Sequence, residues 1–180
     1  FTAMLTLLLV RDGKLALDAP ITHYLKDYPA ASGDKVTIHH LLNHTSGIPS
    51  YTSREGFMQR DALHSLPVNE FVAKYCSGAL EFEPGSEFRY NNSGYFLLGA
   101  IIEEVTGTTY AAALKKRIFD PLGMRDSGFD DQYAVVENRA TGYTDMLGER
   151  RLAQWLDMST PYAAGSLYST VGDLWKWDRA

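Results

Sequence analysis

The chain has one cysteine in 180 residues, Cys76, which excludes an internal disulfide. No Cys/His spacing of the metal-binding kind occurs, so neither a metal nor another cofactor is called for. No block of basic residues relieves the formal net charge of −5, which argues against nucleic acid as a partner. No apolar run is long enough to form a membrane segment. The most apolar stretch, Phe1–Val10, has about half the residues a spanning helix needs. It also lacks the basic lead and small-residue cleavage site of a secretory leader. Repeats, linkers and low-complexity segments are missing too. What is present is 45% hydrophobic and 12% aromatic residues, enough for the core of one domain. The sequence opens inside an apolar run and stops inside the amphipathic pattern Asp173–Ala180. The expectation is one partial domain, residues 1–180, belonging to a longer protein and truncated at both ends.

The patterning predicts mostly helix. Residues 1–11 form a helix with the apolar stripe Leu5, Leu8 and Leu9, and Asp12-Gly13 turns the chain. Asp18 is placed to cap a second helix that starts at Ala19-Pro20 and runs through Leu25. Residues 30–34 read as loop, and Thr37 caps a short helix over 38–44. Residues 52–67 are ambiguous. Val68–Tyr75 is helical, with Glu70 early and Lys74 late, as the helix dipole favours. Cys76 follows Phe71, Val72 and Tyr75 and reads as a small core residue. A strongly apolar helix runs from Tyr95 to Val105, and Thr108 caps another over 110–119. Residues 125–160 lack helical periodicity, with a small hairpin pairing 140–144 with 150–153 around Asp145-Met-Leu-Gly148. Residues 161–167 are loop, and Ser169 or Thr170 begins the last helix. The fold class is mainly α with minor β, with no run of strands that could build a large sheet. Trp175 and Trp177 lie two apart on that last helix, so at most one faces the core.

The most informative stretch is Glu81–Tyr95. Pro84-Gly85 makes a turn, Phe88-Arg89-Tyr90 is short and alternating, and Asn91-Asn92-Ser93-Gly94 leads into the apolar helix. Tyr90 and Asn92 thus sit two apart at a helix entrance, where a phenol and an amide can project together into a cleft. The plain alternative is that Asn91 or Asn92 caps the helix and Tyr90 packs. His39, His40 and His44 lack the Glu of a His-Glu-x-x-His arrangement and read as turn-ordering or surface residues. Glu103 and Glu104 are adjacent and face different directions, so they are not an acid–base pair.

Four segments carry a resemblance: Asn43-His-Thr-Ser-Gly-Ile-Pro49; Phe82-x-Pro-Gly-x-x-Phe-x-Tyr-Asn-Asn-x-Gly-Tyr95; Ile118-Phe-x-Pro-Leu-Gly-Met124; and Ala164-Gly-Ser-Leu-Tyr-Ser-Thr170 followed by Asp173-Leu174. In this order and spacing the chain resembles the serine β-lactamase-like superfamily, in its branch of class C β-lactamases, D-alanyl-D-alanine carboxypeptidases and family VIII esterases. The resemblance implies the helical domain and adjoining segments of a β-lactamase/transpeptidase-like α+β fold, lacking most of the antiparallel sheet. It implies a serine hydrolase that forms an acyl-enzyme on a β-lactam, a D-alanyl peptide or a small ester, so the partner is a small-molecule or peptide substrate. By the same match Tyr90 corresponds to the catalytic Tyr of a Tyr-x-Asn motif and Asn92 to its substrate-binding Asn. A phenol, with an ordinary pKa of about 10, needs a nearby cation to act as a base near neutrality. In the family that cation is the lysine of Ser-x-x-Lys. Tyr51, after the Ile48-Pro49 turn, is expected at the cleft rim as a substrate contact, and Gly165-Ser166 is expected to approach the site. Relatives are often periplasmic or extracellular.

The family pattern is incomplete in these residues. The literal Ser32-Gly-Asp-Lys35 is expected to fail as the nucleophile motif, because Gly33-Asp34 reads as loop and not as the start of a helix. No Lys-Thr-Gly-like strand follows. The 180 residues are therefore expected to lack acyl-transfer activity alone, while the parent protein is a serine hydrolase. The competing reading is a non-catalytic β-lactamase-like binding or regulatory module.

Overall fold

The computed structural model describes residues 1–146 and 148–180. Its helices are α1 (Thr2–Arg11), α2 (Ala30–Gly33), α3 (Ile38–Leu42), α4 (Val68–Tyr75), α5 (Asn92–Thr106), α6 (Tyr110–Leu114), α7 (Asp120–Leu122) and α8 (Val171–Asp178). Among the described residues, two antiparallel pairs of short strands accompany them. The strand β1 (Gly128–Phe129) pairs with β4 (Leu167–Tyr168), and β2 (Tyr143–Met146) with β3 (Glu149–Leu152). The mainly helical class is observed. A hairpin forms in the expected region but is shifted: Tyr143 lies opposite Leu152, while Asp145, expected in the turn, is paired with Arg150 inside the ladder; Leu147 of the expected turn lies outside the described residues.

The core is organised around α5. Asn91 is extended (φ −146°) and its side-chain oxygen accepts the Gly94 N–H at 2.8 Å, which starts the helix. Gly107, at φ +64°, ends it in the left-handed conformation that glycine supplies. Phe96, Leu97, Leu98, Ile101 and Ile102 are essentially inaccessible. Each such side chain contributes roughly 1.5–3 kcal/mol through burial. Phe71 of α4 stacks on Phe96 with ring centres 4.2 Å apart. The turn Tyr162–Ala164 crosses α5 at Gly99, where an added Cβ would lie 2.4 Å from the Tyr162 ring and 2.5 Å from Ala163 Cβ. On α1, Leu5 and Leu9 are fully buried, together with Thr2 and Thr6, while Leu8 is half-buried. Cys76 is buried as expected, and burial pushes its thiol up to about 12.

The structure departs from the sequence reading at several points. The helix expected from Ala19 does not form. Pro20 is extended and bridges Thr37, the Ile21 N–H donates to the Val36 carbonyl at 2.9 Å, and only one tight turn remains at Ile21–His23. Pairing with the strand-like lead-in to α3 satisfies the backbone groups that a helix would otherwise have used. Residues 30–33 form the single turn α2 and not a loop. The helix cap before α6 is Thr109, whose hydroxyl accepts the Ala112 N–H, and not Thr108. Beyond α6 the chain widens into a five-residue π-type turn, Lys115–Phe119, before α7. The β1–β4 pair joins two segments read as irregular, a long-range pairing without local pattern.

Candidate active site

Two loops run side by side ahead of α5. The Glu81 N–H donates to the Gly47 carbonyl (2.7 Å), Gly85 N–H to Thr45 (2.8 Å) and Arg89 N–H to His44 (2.9 Å). The approach is close enough to require Gly47, at φ +74° with Phe82 packed against it. This pairing delivers Tyr90 to the side of His44 and sets Asn91 at the cap of α5. The Asn91 amide also donates to the Ile48 carbonyl. Ser93 donates to the Pro49 carbonyl (2.7 Å) and accepts the Tyr51 N–H (3.0 Å), so the 48–51 loop is bound to the first turn of the helix.

Tyr90 is 64% exposed, and its hydroxyl donates to Asn92 Oδ1 at 3.2 Å. The other end of that amide donates to Thr52 Oγ1 at 3.1 Å, and Thr52 shares a 3.0 Å hydrogen bond with Ser50. Ser50 Oγ also accepts the Asn92 N–H at 3.3 Å. The amide is thereby oriented with its carbonyl towards the phenol. Sequence reasoning brought Tyr90 and Asn92 together and missed Ser50 and Thr52, which carry no motif beyond following Ile48-Pro49.

His44 completes the site. Its ring lies 4.7 Å from Tyr90, stacks on Tyr95 at 5.0 Å and meets Phe88 edge-on at 6.0 Å. Its Nδ1 accepts the Asn91 N–H at 3.2 Å. Burial holds its pKa below the ordinary histidine value. Tyr95 donates to the Leu42 carbonyl and lines a hollow of about 290 Å³ with Phe1, Thr2, Ala164 and Gly165. Gly165 therefore approaches the site, whereas Ser166 is turned into the interior and donates to the Met158 carbonyl. Thr2 ties the start of α1 to this wall, accepting from the Tyr110 hydroxyl (2.6 Å) and donating to the Ala163 carbonyl (2.7 Å).

Tyr51 does not reach a rim. It is 2% exposed, with its ring 5.1 Å from both Phe57 and Phe71, and burial raises its phenol pKa. The tight turn Tyr51–Ser53 presents Thr52 to Asn92 and sends Tyr51 inward. His40 serves as a cap, its Nδ1 accepting the Thr37 N–H while its own N–H donates to Thr37 Oγ1. Ser32 is buried and bonded to the Pro29 carbonyl, and the Lys35 ammonium sits 3.6 Å from Glu83 in solvent. Neither is joined to Tyr90. The nearby cation, Arg89, is engaged by Glu81 and Glu87 at 2.8 Å each. Among the described residues no cluster of acidic, His or Cys side chains is placed to hold a metal, and no helix is long and apolar enough to cross a membrane.

Comparison with known proteins gives a consistent picture. The family model described as beta-lactamase matches residues 1–180. The chain is 39% identical over 177 residues to Esterase EstB of Burkholderia gladioli, covering 91% of this chain and 44% of that protein. It is 32% identical to the putative penicillin-binding protein PbpX of Bacillus subtilis (strain 168), covering 93% of this chain and 40% of that one. The solved D-stereospecific amidohydrolase from Streptomyces sp. superposes with a TM-score of 0.83 at 30% identity, covering 99% of this chain and 57% of that chain. The chain thus spans about two-fifths of the length of these curated relatives.

Proposed function

Because this chain belongs to the beta-lactamase family, we propose that residues 1–180 are part of one domain of a full-length serine hydrolase that works through an acyl-enzyme, with Tyr90 in proton transfer and Asn92 in substrate binding. The observation that carries the reading is the exposed Tyr90 phenol held 3.2 Å from an Asn92 amide whose orientation is set by Thr52. In the full-length protein a serine hydroxyl attacks the substrate carbonyl carbon, and its proton passes to a base made of Tyr90 and a neighbouring lysine. The leaving group departs with a proton, and water then cleaves the acyl-enzyme. A cation beside Tyr90 lowers the cost of phenolate, and the lysine of a Ser-x-x-Lys helix supplies that charge.

Within the 180 residues Ser32 and Lys35 are separately engaged, so this stretch alone is expected to give no turnover. Tyr51 enters the reading only through its backbone N–H on Ser93. The substrate is a small ester, a β-lactam or a D-alanyl peptide. The ester is placed first because the relative named an esterase is 39% identical and the one named a penicillin-binding protein 32%. A periplasmic or extracellular location belongs to the same proposal.

The test is turnover of p-nitrophenyl butyrate and nitrocefin by the full-length protein and by its Tyr90→Phe variant. Loss of about 10²–10⁴ in kcat is expected for Tyr90→Phe. A variant that keeps wild-type kcat on every substrate the protein cleaves would overturn the role of Tyr90. A burst with either substrate by residues 1–180 alone would overturn the expected inactivity.

A further inference from the structure

We propose that His44 is a positioning residue for Tyr90: as a neutral imidazole it holds the entrance Tyr90-Asn91-Asn92, and its protonation releases that entrance, closing the site in acid. The proposal rests on the reading of Tyr90 given above. His44 occupies an uncommon backbone position for a non-glycine residue, φ 59°, just past the C-terminal cap of α3. That conformation turns its ring back over the loop carrying Tyr90. The ring touches the reactive phenol on one side and Tyr95 on the other. Its Nδ1 accepts the N–H of Asn91, the residue between Tyr90 and Asn92 and the cap of α5. One imidazole therefore contacts both the phenol and the backbone that aims it.

The bond requires a lone pair on Nδ1. In the imidazolium both ring nitrogens are donors, so Nδ1–H would oppose the Asn91 N–H and the contact would open. The titratable groups facing the ring are the Tyr90 and Tyr95 phenols. The Arg89 backbone N–H is spent on the His44 carbonyl, and its guanidinium is turned to Glu81 and Glu87. On the preceding helix α3, His40 is engaged at Thr37. Among the described residues no carboxylate pairs with His44 to hold its charge. Burial disfavours the imidazolium, so the switch operates below the ordinary histidine value of about 6.5.

The experiment uses the full-length protein labelled with ring-¹³C histidine and ¹⁵N asparagine. The Asn91 amide resonance is expected to move with the His44 ring, at one shared midpoint below about 6.5. In parallel, the pH profile of p-nitrophenyl butyrate turnover is compared with that of His44→Asn. Asparagine tolerates positive φ and does not titrate, which avoids the folding problem a bulkier residue would meet. This variant is expected to lose about tenfold in kcat at pH 8 with KM little changed, and to lose the part of the acid limb that follows His44. An Asn91 amide indifferent to His44 titration, or a variant with wild-type kcat and an unaltered acid limb, overturns the proposal. Full turnover by Tyr90→Phe would instead refute the role of Tyr90, while the Asn91 measurement would still decide whether His44 governs the entrance.

Discussion

A Cβ added to Gly47 would lie 2.2 Å from the carbonyl oxygen of Phe82. This is backbone against backbone, with no flexible side chain to yield, and Gly47 also has φ +74°. The two loops that carry His44 and Tyr90 meet at this point. Gly47→Ala is expected to destabilise the fold by roughly 2–4 kcal/mol, combining left-handed strain with a displaced loop. Urea unfolding of the variant beside the wild type measures it; a loss under about 0.5 kcal/mol, the usual range of a neutral surface change, would refute the close approach.

Gly99, within α5, makes a comparable approach, but to side chains. The Tyr162 ring and Ala163 can shift, at a cost typical of overpacking. Gly99→Ala is expected to cost about 1–3 kcal/mol, less than Gly47→Ala. Thermal unfolding of both variants in one buffer checks the order.

Asn91 both caps α5 and donates to the Ile48 carbonyl. Asn91→Asp keeps the cap acceptor and loses the donor, whereas Asn91→Ala loses both. The Ala variant is expected to lose about 2–4 kcal/mol, a cap plus an unpaired buried carbonyl. Under denaturant titration Asp should fall between Ala and wild type below pH 4, where its protonated carboxyl can donate again.

Thr52 is exposed to a sharper test, because its contact orients an amide and adds little to the core. Thr52→Val conserves shape and removes the acceptor for Asn92 Nδ2. In the full-length protein kcat is expected to fall about three- to tenfold, with unfolding midpoints within about 1 kcal/mol of wild type. Equal kcat in the two proteins would mean that Asn92 needs no such anchor.

Asp173 anchors α8 from within the fold. Burial alone would raise its carboxyl pKa, but Lys176, Ser127 and the Asp126 N–H outweigh this and hold it below the ordinary carboxylate value. The sign follows from linkage. The unfolded chain binds the proton more readily, so the stabilisation is complete above the ordinary value of about 4 and fades as pH falls through the depressed one. Asp173→Asn should remove that part of the acid dependence, measured as the difference in unfolding free energy between pH 3 and pH 6. An unchanged difference would show that the carboxylate is not the responsible group.

Much of the helical framework follows from local pattern. The caps at Asn91 and Thr170, the left-handed stop at Gly107 and the apolar period of α1 and α5 are near-neighbour effects, and so they are readable along the chain. The helix expected at Ala19 failed because a remote segment, Val36–Thr37, offered the same backbone a better partner. Tyr51 was misplaced for a related reason. A Tyr after Ile-Pro has no local feature that sends it inward; packing among the rings of Phe57, Phe71 and Phe96 does.

The sequence by itself determined the family resemblance, the mainly helical class and the pairing of Tyr90 with Asn92, because residues two apart at a helix entrance cannot be far separated. Only the tertiary structure decided what surrounds that pair. Ser50, Thr52 and His44 lie some forty residues upstream, and the loop pairing at Gly47 and Phe82 brings them in. Hydrogen bonds and ring contacts across such a span depend on backbone closure, which no local periodicity encodes.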